Sequence, residues 1–139
     1  MELNGRVALV TGGGSGMGRG TARRLVDEGM QVCVVDINGD AAKAVADEIG
    51  ALAYTADVSD SAQIDAAFAA CIAEFGGVDL AYLNAGIGVG SDFGEFPDEE
   101  YIRIRGVNQD HVVYGSRAMV RAVRSRTCLL YTSPSPRDS

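Results

Sequence analysis

Short apolar runs alternate with longer segments of helical periodicity along most of the chain. The apolar runs occupy residues 6–10, 31–36, 51–56 and 78–83. Each is apolar over most of its length instead of alternating with polar residues, which is typical of strands buried on both faces of a parallel sheet. The helical segments cover residues 16–28, 40–49, 60–75 and 97 to about 126. The order β-α-β-α-β-α-β-α predicts an α/β fold with a doubly wound parallel sheet and right-handed crossovers.

Polar residues and glycines mark the predicted helix ends. Asp40 is the predicted N-cap of the second helix and Gly50 is its stop. Asp60 and Gln63 have the spacing of a capping box at the start of the third helix. The last helical segment starts at Pro97, which suits a first turn. No fifth strand follows this segment, so the sequence predicts a sheet truncated after the fourth strand and the helices that follow it.

The turn between the first strand and the first helix is rich in glycine, reading Thr11-Gly12-Gly13-Gly14-Ser15-Gly16-Met17-Gly18. Glycines let the backbone turn tightly and allow a phosphate to approach without meeting a Cβ atom. The helix that follows offers unpaired N–H groups and the positive end of its dipole to an anion. Asp36 ends the second strand about twenty residues further on, where a dinucleotide site holds the adenosine ribose hydroxyls. Together these features predict a dinucleotide site.

Other polar motifs also follow strand ends. Asp57-Val58 follows the third strand, and Asn84-Ala85-Gly86 follows the fourth. The carboxyl ends of parallel strands lie along one edge of the sheet, and ligands bind in the crevice outside that edge. We therefore expect these motifs to gather with the glycine turn and Asp36.

Taken together, the motifs resemble those of the short-chain dehydrogenase/reductase family, a Rossmann-like fold. The resemblance runs from Leu3 to about Arg126 and includes Asn108, which follows Val107 at the position of the family's active-site asparagine. It implies NAD(P)-dependent hydride transfer between an alcohol and a carbonyl, in a protein that forms homo-oligomers. The implied catalytic residue is Asn108. The implied cofactor-binding residues are Thr11, Gly12, Gly14, Ser15, Gly16, Met17, Gly18, Asp36, Ile37, Asp57, Val58, Asn84, Ala85 and Gly86.

The residue at the end of the second strand favours NAD over NADP. A carboxylate at Asp36 can accept hydrogen bonds from both ribose hydroxyls of NAD and would repel the extra phosphate of NADP. Family members that bind NADP usually have a basic residue near this position, whereas this chain has Ile37 and Ser15.

The resemblance also implies a catalytic serine and a Tyr-x-x-x-Lys pattern, which this chain lacks. Its one lysine is Lys43, in the second predicted helix, and no tyrosine has a lysine four residues later. We therefore predict that the 139-residue chain is a cofactor-binding fragment without activity.

Residues 1–126 read as the N-terminal part of a single NAD-binding domain, and residues 127–139 as a non-native tail. From Cys128 the tail is compatible with the in-frame translation of a transposase adapter used in DNA sequencing, and a natural Ser/Pro-rich tail is the alternative.

Composition and charge limit the other functions. With 47% apolar and 22% charged residues the chain reads as globular, and its net charge of −7 argues against nucleic acid as a partner. Neither a membrane-spanning run nor a signal-peptide layout is evident, so we expect a cytoplasmic protein. The cysteines have no metal-ligand spacing, and we interpret Cys33 and Cys71 as packed thiols.

Several residues have structural alternatives to these roles. The glycine turn could be a plain connection and Asp36 a solvated strand end. Asp57 could only shape its loop, and Asn108 could be a helix-surface residue. His111, one helical turn later, is interpreted as structural. At the level of the whole chain, the alternatives are an S-adenosylmethionine-dependent methyltransferase and a non-enzymatic nucleotide-binding module.

Overall fold

The computed structural model describes residues 2–130, which form a four-stranded parallel sheet with helices on both faces. The strands are β1 (Val7–Thr11), β2 (Gln31–Asp36), β3 (Leu52–Thr55) and β4 (Leu80–Leu83), in the spatial order β3-β2-β1-β4. The helices are α1 (Gly16–Asp27), α2 (Gly39–Ile49), α3 (Ser61–Phe75), α4 (Asp98–Arg105) and α5 (His111–Leu130). The predicted α/β fold with a doubly wound parallel sheet is confirmed.

The core is divided by the sheet, and β1 contributes to both halves. Leu9 is paired with Cys33 of β2 and Ala81 of β4, and it faces α3 and α5. Its neighbours Ala8 and Val10 point to the opposite face, toward α1 and α2, because successive side chains of a strand alternate between faces. Burial on both faces explains why the strand is apolar without alternation.

Both predicted core thiols are buried. Cys33 on β2 and Cys71 on α3 are free cysteines packed in the half of the core that faces α3 and α5. Among residues 2–130, no group of three potential metal-ligating side chains occurs, and no helix is long and apolar enough to cross a membrane.

The predicted cap of α2 is wrong by two residues. Asn38, rather than Asp40, is the N-cap, and its side-chain oxygen accepts the Ala41 N–H at 3.0 Å. Asn38 is the last residue with an extended backbone, so it is the residue whose side chain can reach the free N–H groups of the first turn. Asp40 lies within that turn, beside the positive end of the helix dipole. Gly50 ends the helix in a left-handed conformation, as predicted.

The capping box of α3 is made only in part. Asp60 is the N-cap, and its carboxylate accepts the Ala62 N–H at 3.0 Å. The Gln63 side chain does not reach back to the Asp60 N–H, which instead donates to the Asp57 carbonyl. Gln63 Oε1 accepts the Asp57 N–H at 2.8 Å, so the first turn of α3 holds the loop that follows β3.

The last helical stretch contains a wider turn that periodicity does not predict. A π-helical turn, Gly106–Asp110, separates α4 from α5. A Cβ atom on Gly106 would lie 3.0 Å from Cβ of Ser59, so a glycine there lets the helix approach the loop after β3 closely. The predicted end near residue 126 is not seen, because α5 continues to Leu130. Residues 131–139 of the predicted tail lie outside the described part, and its non-native origin stays a prediction.

The end of the sheet opposite the ligand crevice is held by Asp79, just before β4. Its Oδ2 accepts the Val7 N–H at 2.8 Å, and its Oδ1 is paired with Arg126 of α5. Its side chain is only 10% exposed, which makes these contacts stronger than those of a surface pair. Asp79 thereby links β1, β4 and α5.

We expect Asp79→Ala to lower the free energy of unfolding by about 1–3 kcal/mol, because the Val7 N–H and the Arg126 side chain lose their acceptor. The control is Asp47→Ala, which removes an exposed pair with Lys43 within one helix and should cost no more than about 0.5 kcal/mol. Urea denaturation followed by circular dichroism measures both. Equal effects of the two substitutions would contradict the role assigned to Asp79.

Candidate functional site

A cavity of about 630 Å³ lies at the carboxyl ends of the strands. Most of the predicted cofactor residues line it: Gly12, Ser15, Gly16, Met17, Asp36, Ile37, Asp57, Val58, Asn84, Ala85 and Gly86. Four predicted residues are not on its wall: Thr11, Gly14, Gly18 and Asn108. Five residues that the sequence did not single out for binding are on it: Ala56, Ser59, Ile87, Arg103 and Val107. The expected gathering of the strand-end motifs is therefore observed.

The glycine turn is packed so closely that side chains are excluded at specific positions. A Cβ atom on Gly18 would lie 2.1 Å from the carbonyl oxygen of Gly12. Gly12 has φ +63°, and a Cβ atom there would lie 2.9 Å from Cα of Ala85. Gly18 is thus needed for the packing of α1 against the turn, although it does not reach the cavity wall. The Ser15 side chain makes no capping hydrogen bond, so no side chain covers the first-turn N–H groups of α1.

Asp36, which lines the cavity, is held by two backbone N–H groups. Its Oδ2 accepts the Gly14 N–H at 2.9 Å, and its Oδ1 accepts the Asn38 N–H at 3.0 Å. A Cβ atom on Gly14 would lie 2.8 Å from Oδ2, which explains a glycine at this position. None of the ion pairs among the described residues involves Asp36. The carboxylate is therefore fixed in place, and no basic side chain of residues 2–130 lies within ion-pair distance of it.

Asp57 both shapes its loop and lines the cavity. Its Oδ1 accepts the Ser59 N–H at 3.0 Å and the Ser59 hydroxyl at 2.7 Å. The structural alternative for Asp57 is thus observed, and it coexists with a place on the cavity wall. Val58 is almost fully buried beside it and gives the wall an apolar contact.

The Thr11 hydroxyl joins the ends of β1 and β4. Its Oγ1 accepts the Asn84 N–H at 2.9 Å and the Ala85 N–H at 3.2 Å. The Asn84 side chain returns a bond, with Nδ2 donating to the Thr11 carbonyl at 3.3 Å. These bonds fix the position of the Asn84-Ala85-Gly86 segment against the glycine turn. Thr11 therefore supports the cavity wall without being part of it.

His111 completes this network from α5. It is fully buried, with Nε2 3.0 Å from Thr11 Oγ1 and Nδ1 3.1 Å from the Val107 carbonyl oxygen. A carbonyl only accepts, so the neutral ring carries its proton on Nδ1, and the Thr11 hydroxyl donates to Nε2. The Tyr82 carbonyl oxygen lies 3.4 Å from Thr11 Oγ1 and is a second, longer acceptor for the same hydroxyl proton. The interpretation of His111 as structural agrees with these contacts.

Asn108 lies in the π-helical turn, with its side chain on the loop after β4 rather than on the cavity wall. Its Oδ1 accepts the Ile87 N–H at 2.9 Å, and its Nδ2 donates to the Ile87 carbonyl at 2.8 Å. Both of its polar groups are thus engaged in holding Ile87, which lines the cavity. The catalytic role of Asn108 stays a prediction.

Arg103 and Val107 reach the cavity because α4 and the π-helical turn pack over the loop after β3. They are four residues apart, so they lie on the same face of the helical stretch. This spacing was visible in the sequence, but the packing that turns that face toward the cavity was not.

Residues 6–128 match the sequence model of the family described as short chain dehydrogenase. The chain belongs to the short-chain dehydrogenase family. This match covers nearly the whole of the described structure, and it includes every residue of the cavity wall. The Rossmann-like fold that the resemblance implied is the fold observed.

Curated relatives agree with this family. The chain is 37% identical over 125 residues to sorbitol dehydrogenase of Cereibacter sphaeroides, covering 88% of this chain and 49% of the relative. It is 41% identical over 118 residues to 2-dehydro-3-deoxy-L-rhamnonate dehydrogenase (NAD(+)) of Sphingomonas sp. (strain SKA58), covering 84% and 47%. The chain therefore spans about half the length of the curated relatives it matches.

Two solved structures superpose on most of this chain. A 3-ketoacyl-(acyl-carrier-protein) reductase from Brucella melitensis, complexed with NADH, matches with a TM-score of 0.83 and 43% identity, over 86% of this chain and 51% of its own. A short chain dehydrogenase/reductase from Burkholderia phymatum in complex with NAD matches with a TM-score of 0.84 and 33% identity, over 88% and 45%.

The buried His111 predicts a pH-dependent stability. Burial lowers the pKa of His111 below its ordinary value of 6.5, although the carbonyls of Val107 and Ala85 act in the opposite direction. Below pH 6.5 the unfolded chain binds a proton that the folded chain does not, so the free energy of unfolding falls as the pH is lowered. The slope is at most about 1.4 kcal/mol per pH unit.

Urea denaturation between pH 7 and pH 5.5 measures this slope, and His111→Gln provides the comparison because glutamine does not titrate. His111 is the chain's one histidine, so no other side chain of ordinary pKa titrates in this interval. We expect the variant to be less stable at pH 7 and to have a flatter pH dependence. Parallel pH profiles for the two proteins would refute the assignment.

Proposed function

We propose that this chain is the dinucleotide-binding half of an NAD-dependent oxidoreductase that transfers hydride between an alcohol and a carbonyl. The observation that carries the proposal is the Asp36 carboxylate, held at the cavity by the N–H groups of Gly14 and Asn38. A carboxylate in this place suits the two ribose hydroxyls of an adenosine, which are hydrogen-bond donors.

The glycine turn fits the rest of such a cofactor. Backbone at Gly12 and Gly16 lines the cavity without a Cβ atom, and the uncapped start of α1 lies beside it. A pyrophosphate would be held there by N–H groups and by the helix dipole. The adenine would lie toward Asp57 and Val58. The bound nicotinamide supplies the hydride chemistry, and the chain's own residues bind and orient the dinucleotide.

Asp36 also supports NAD as the cofactor in preference to NADP. The extra phosphate of NADP would meet this carboxylate, and the adjacent wall residues Ser15 and Ile37 offer no positive charge to compensate it. The name of the Sphingomonas relative includes NAD(+), and the two neighbouring structures were solved with NADH and NAD. These names support the same preference.

The Tyr-x-x-x-Lys pattern that the resemblance implies is not present in this sequence. Lys43, its one lysine, lies on α2 and is paired with Asp47 at 3.0 Å, away from the cavity wall. Among the described residues that line the cavity there is no serine, tyrosine and lysine set of the family's kind to exchange a proton with the substrate oxygen. We infer that the 139-residue polypeptide binds the cofactor without turning it over.

The remaining expectations form part of the same proposal. Exposed apolar side chains on α4 and α5, among them Ile102, Val113 and Val120, support a homo-oligomer. A cytoplasmic location is proposed from the sequence alone. The family match does not favour the alternative of an S-adenosylmethionine-dependent methyltransferase.

The cofactor preference is tested by titrating the chain with NAD and NADP in isothermal calorimetry. We expect tighter binding of NAD, and we expect Asp36→Ala to weaken it by about 1–3 kcal/mol because the ribose hydroxyls lose their acceptor. Asp40→Ala, an exposed acid in the first turn of α2, is the matched control and should leave binding unchanged. Tighter binding of NADP by the unmutated chain would overturn the preference.

The absence of turnover is tested by mixing the purified chain with NAD and a panel of alcohols and following absorbance at the NADH band. We expect no formation of NADH, since proton transfer by a positioned acid or base alone contributes about 10²–10⁴-fold to the rate. A rate that rises in proportion to the chain's concentration would show that catalytic groups are present after all.

A further inference from the structure

Arg103 is the one basic residue among the described residues that line the cavity, whose other charged side chains are Asp36 and Asp57. It projects from the same face of the α4 stretch as Val107, which also lines the cavity. Between them, Gly106 packs against Ser59, so this face of the helix lies over the loop after β3. Arg103 therefore belongs to the wall formed with Asp57, Val58 and Ser59.

The guanidinium group of Arg103 is not used in the fold. No carboxylate of residues 2–130 forms an ion pair with it, whereas Arg105, two positions later, is paired with Asp110 at 3.8 Å. The nearest acid on its own helix is Glu100, one turn earlier. Glu100 is engaged by the Ser91 hydroxyl and by the Gly90 N–H at 2.6 Å. The hydrogen bond from Ser91, followed by that from Gly90, is the main cause that lowers the pKa of Glu100, and the charge of Arg103 is a lesser one.

We propose that Arg103 covers the adenine ring of the bound dinucleotide and is a positioning residue for its adenosine half. The inference rests on the proposed function. Val58 and Val107 give this part of the cavity apolar surfaces that suit a flat base. A planar guanidinium stacks on aromatic rings and is attracted to their faces. The phosphates belong to the other wall, at the start of α1, where glycine backbone and the helix dipole receive them.

The test compares the affinity of the chain for adenosine and for NAD, because adenosine carries the base and ribose without any phosphate. We expect Arg103→Gln to weaken the binding of both ligands by the same factor, about 3- to 20-fold. Arg103→Lys keeps the positive charge and loses the planar group, so it should resemble Arg103→Gln within about twofold. Arg124→Gln removes an arginine of α5 that is also exposed and does not line the cavity, and it should change neither affinity.

Each outcome decides the question. Loss of NAD affinity with adenosine binding unchanged, or recovery by Arg103→Lys of NAD binding but not of adenosine binding, would identify a phosphate contact and overturn the proposal. Unchanged affinities in Arg103→Gln would overturn it and leave the proposed function intact, since the unmutated chain still binds NAD. Failure of the unmutated chain to bind either ligand would overturn both. Circular dichroism of each variant, compared with the unmutated chain, verifies that the fold is kept.

Discussion

The candidate site depends on one hydroxyl group, that of Thr11. It lies at the end of the central strand, and it accepts backbone N–H groups from the segment after β4 while donating to a histidine of α5. The hydroxyl thereby joins β1, the segment after β4 and α5 through hydrogen bonds, each of which typically contributes about 0.5–1.5 kcal/mol to stability. Together with the strand pairing of Thr11 and Leu83, the hydroxyl holds the end of β4 against the glycine turn, and both segments line the cavity.

Some residues of the site line the cavity, and others support the lining residues without reaching the cavity. Gly14 and Gly18 do not line the cavity, yet the first allows the Asp36 carboxylate to approach and the second allows α1 to pack under Gly12. Asn108 is also not on the cavity wall, and it holds the wall residue Ile87 through two hydrogen bonds. A motif defined by its spacing therefore combines residues of two kinds. Some residues line the cavity, and others allow neighbouring backbone segments to pack closely enough to hold the lining residues in position.

The sequence predicts the sheet, its flanking helices and the gathering of the strand-end motifs, because these follow from apolar runs, glycines and parallel topology. It fails where two nearby groups compete for one role. Asn38 and Asp40 are both good caps, and only the backbone conformation decides between them. Arg103 belongs to no motif, and its place on the cavity wall comes from tertiary packing of α4. The π-helical turn likewise lies where two distant segments meet, at Gly106 and Ser59, and helical periodicity carries no sign of it.

The central position of β1 has a consequence for the order of events during synthesis. β1 pairs with β2 across a short crossover, but its other edge pairs with β4, whose Leu80 lies opposite Ala8. That second pairing waits until the chain has been extended past β2 by two further helices and a strand. At translation rates of about 5–20 residues per second the wait is on the order of seconds. During that time the nascent chain presents the unpaired edge of an apolar strand, which can pair with another chain until β4 covers it.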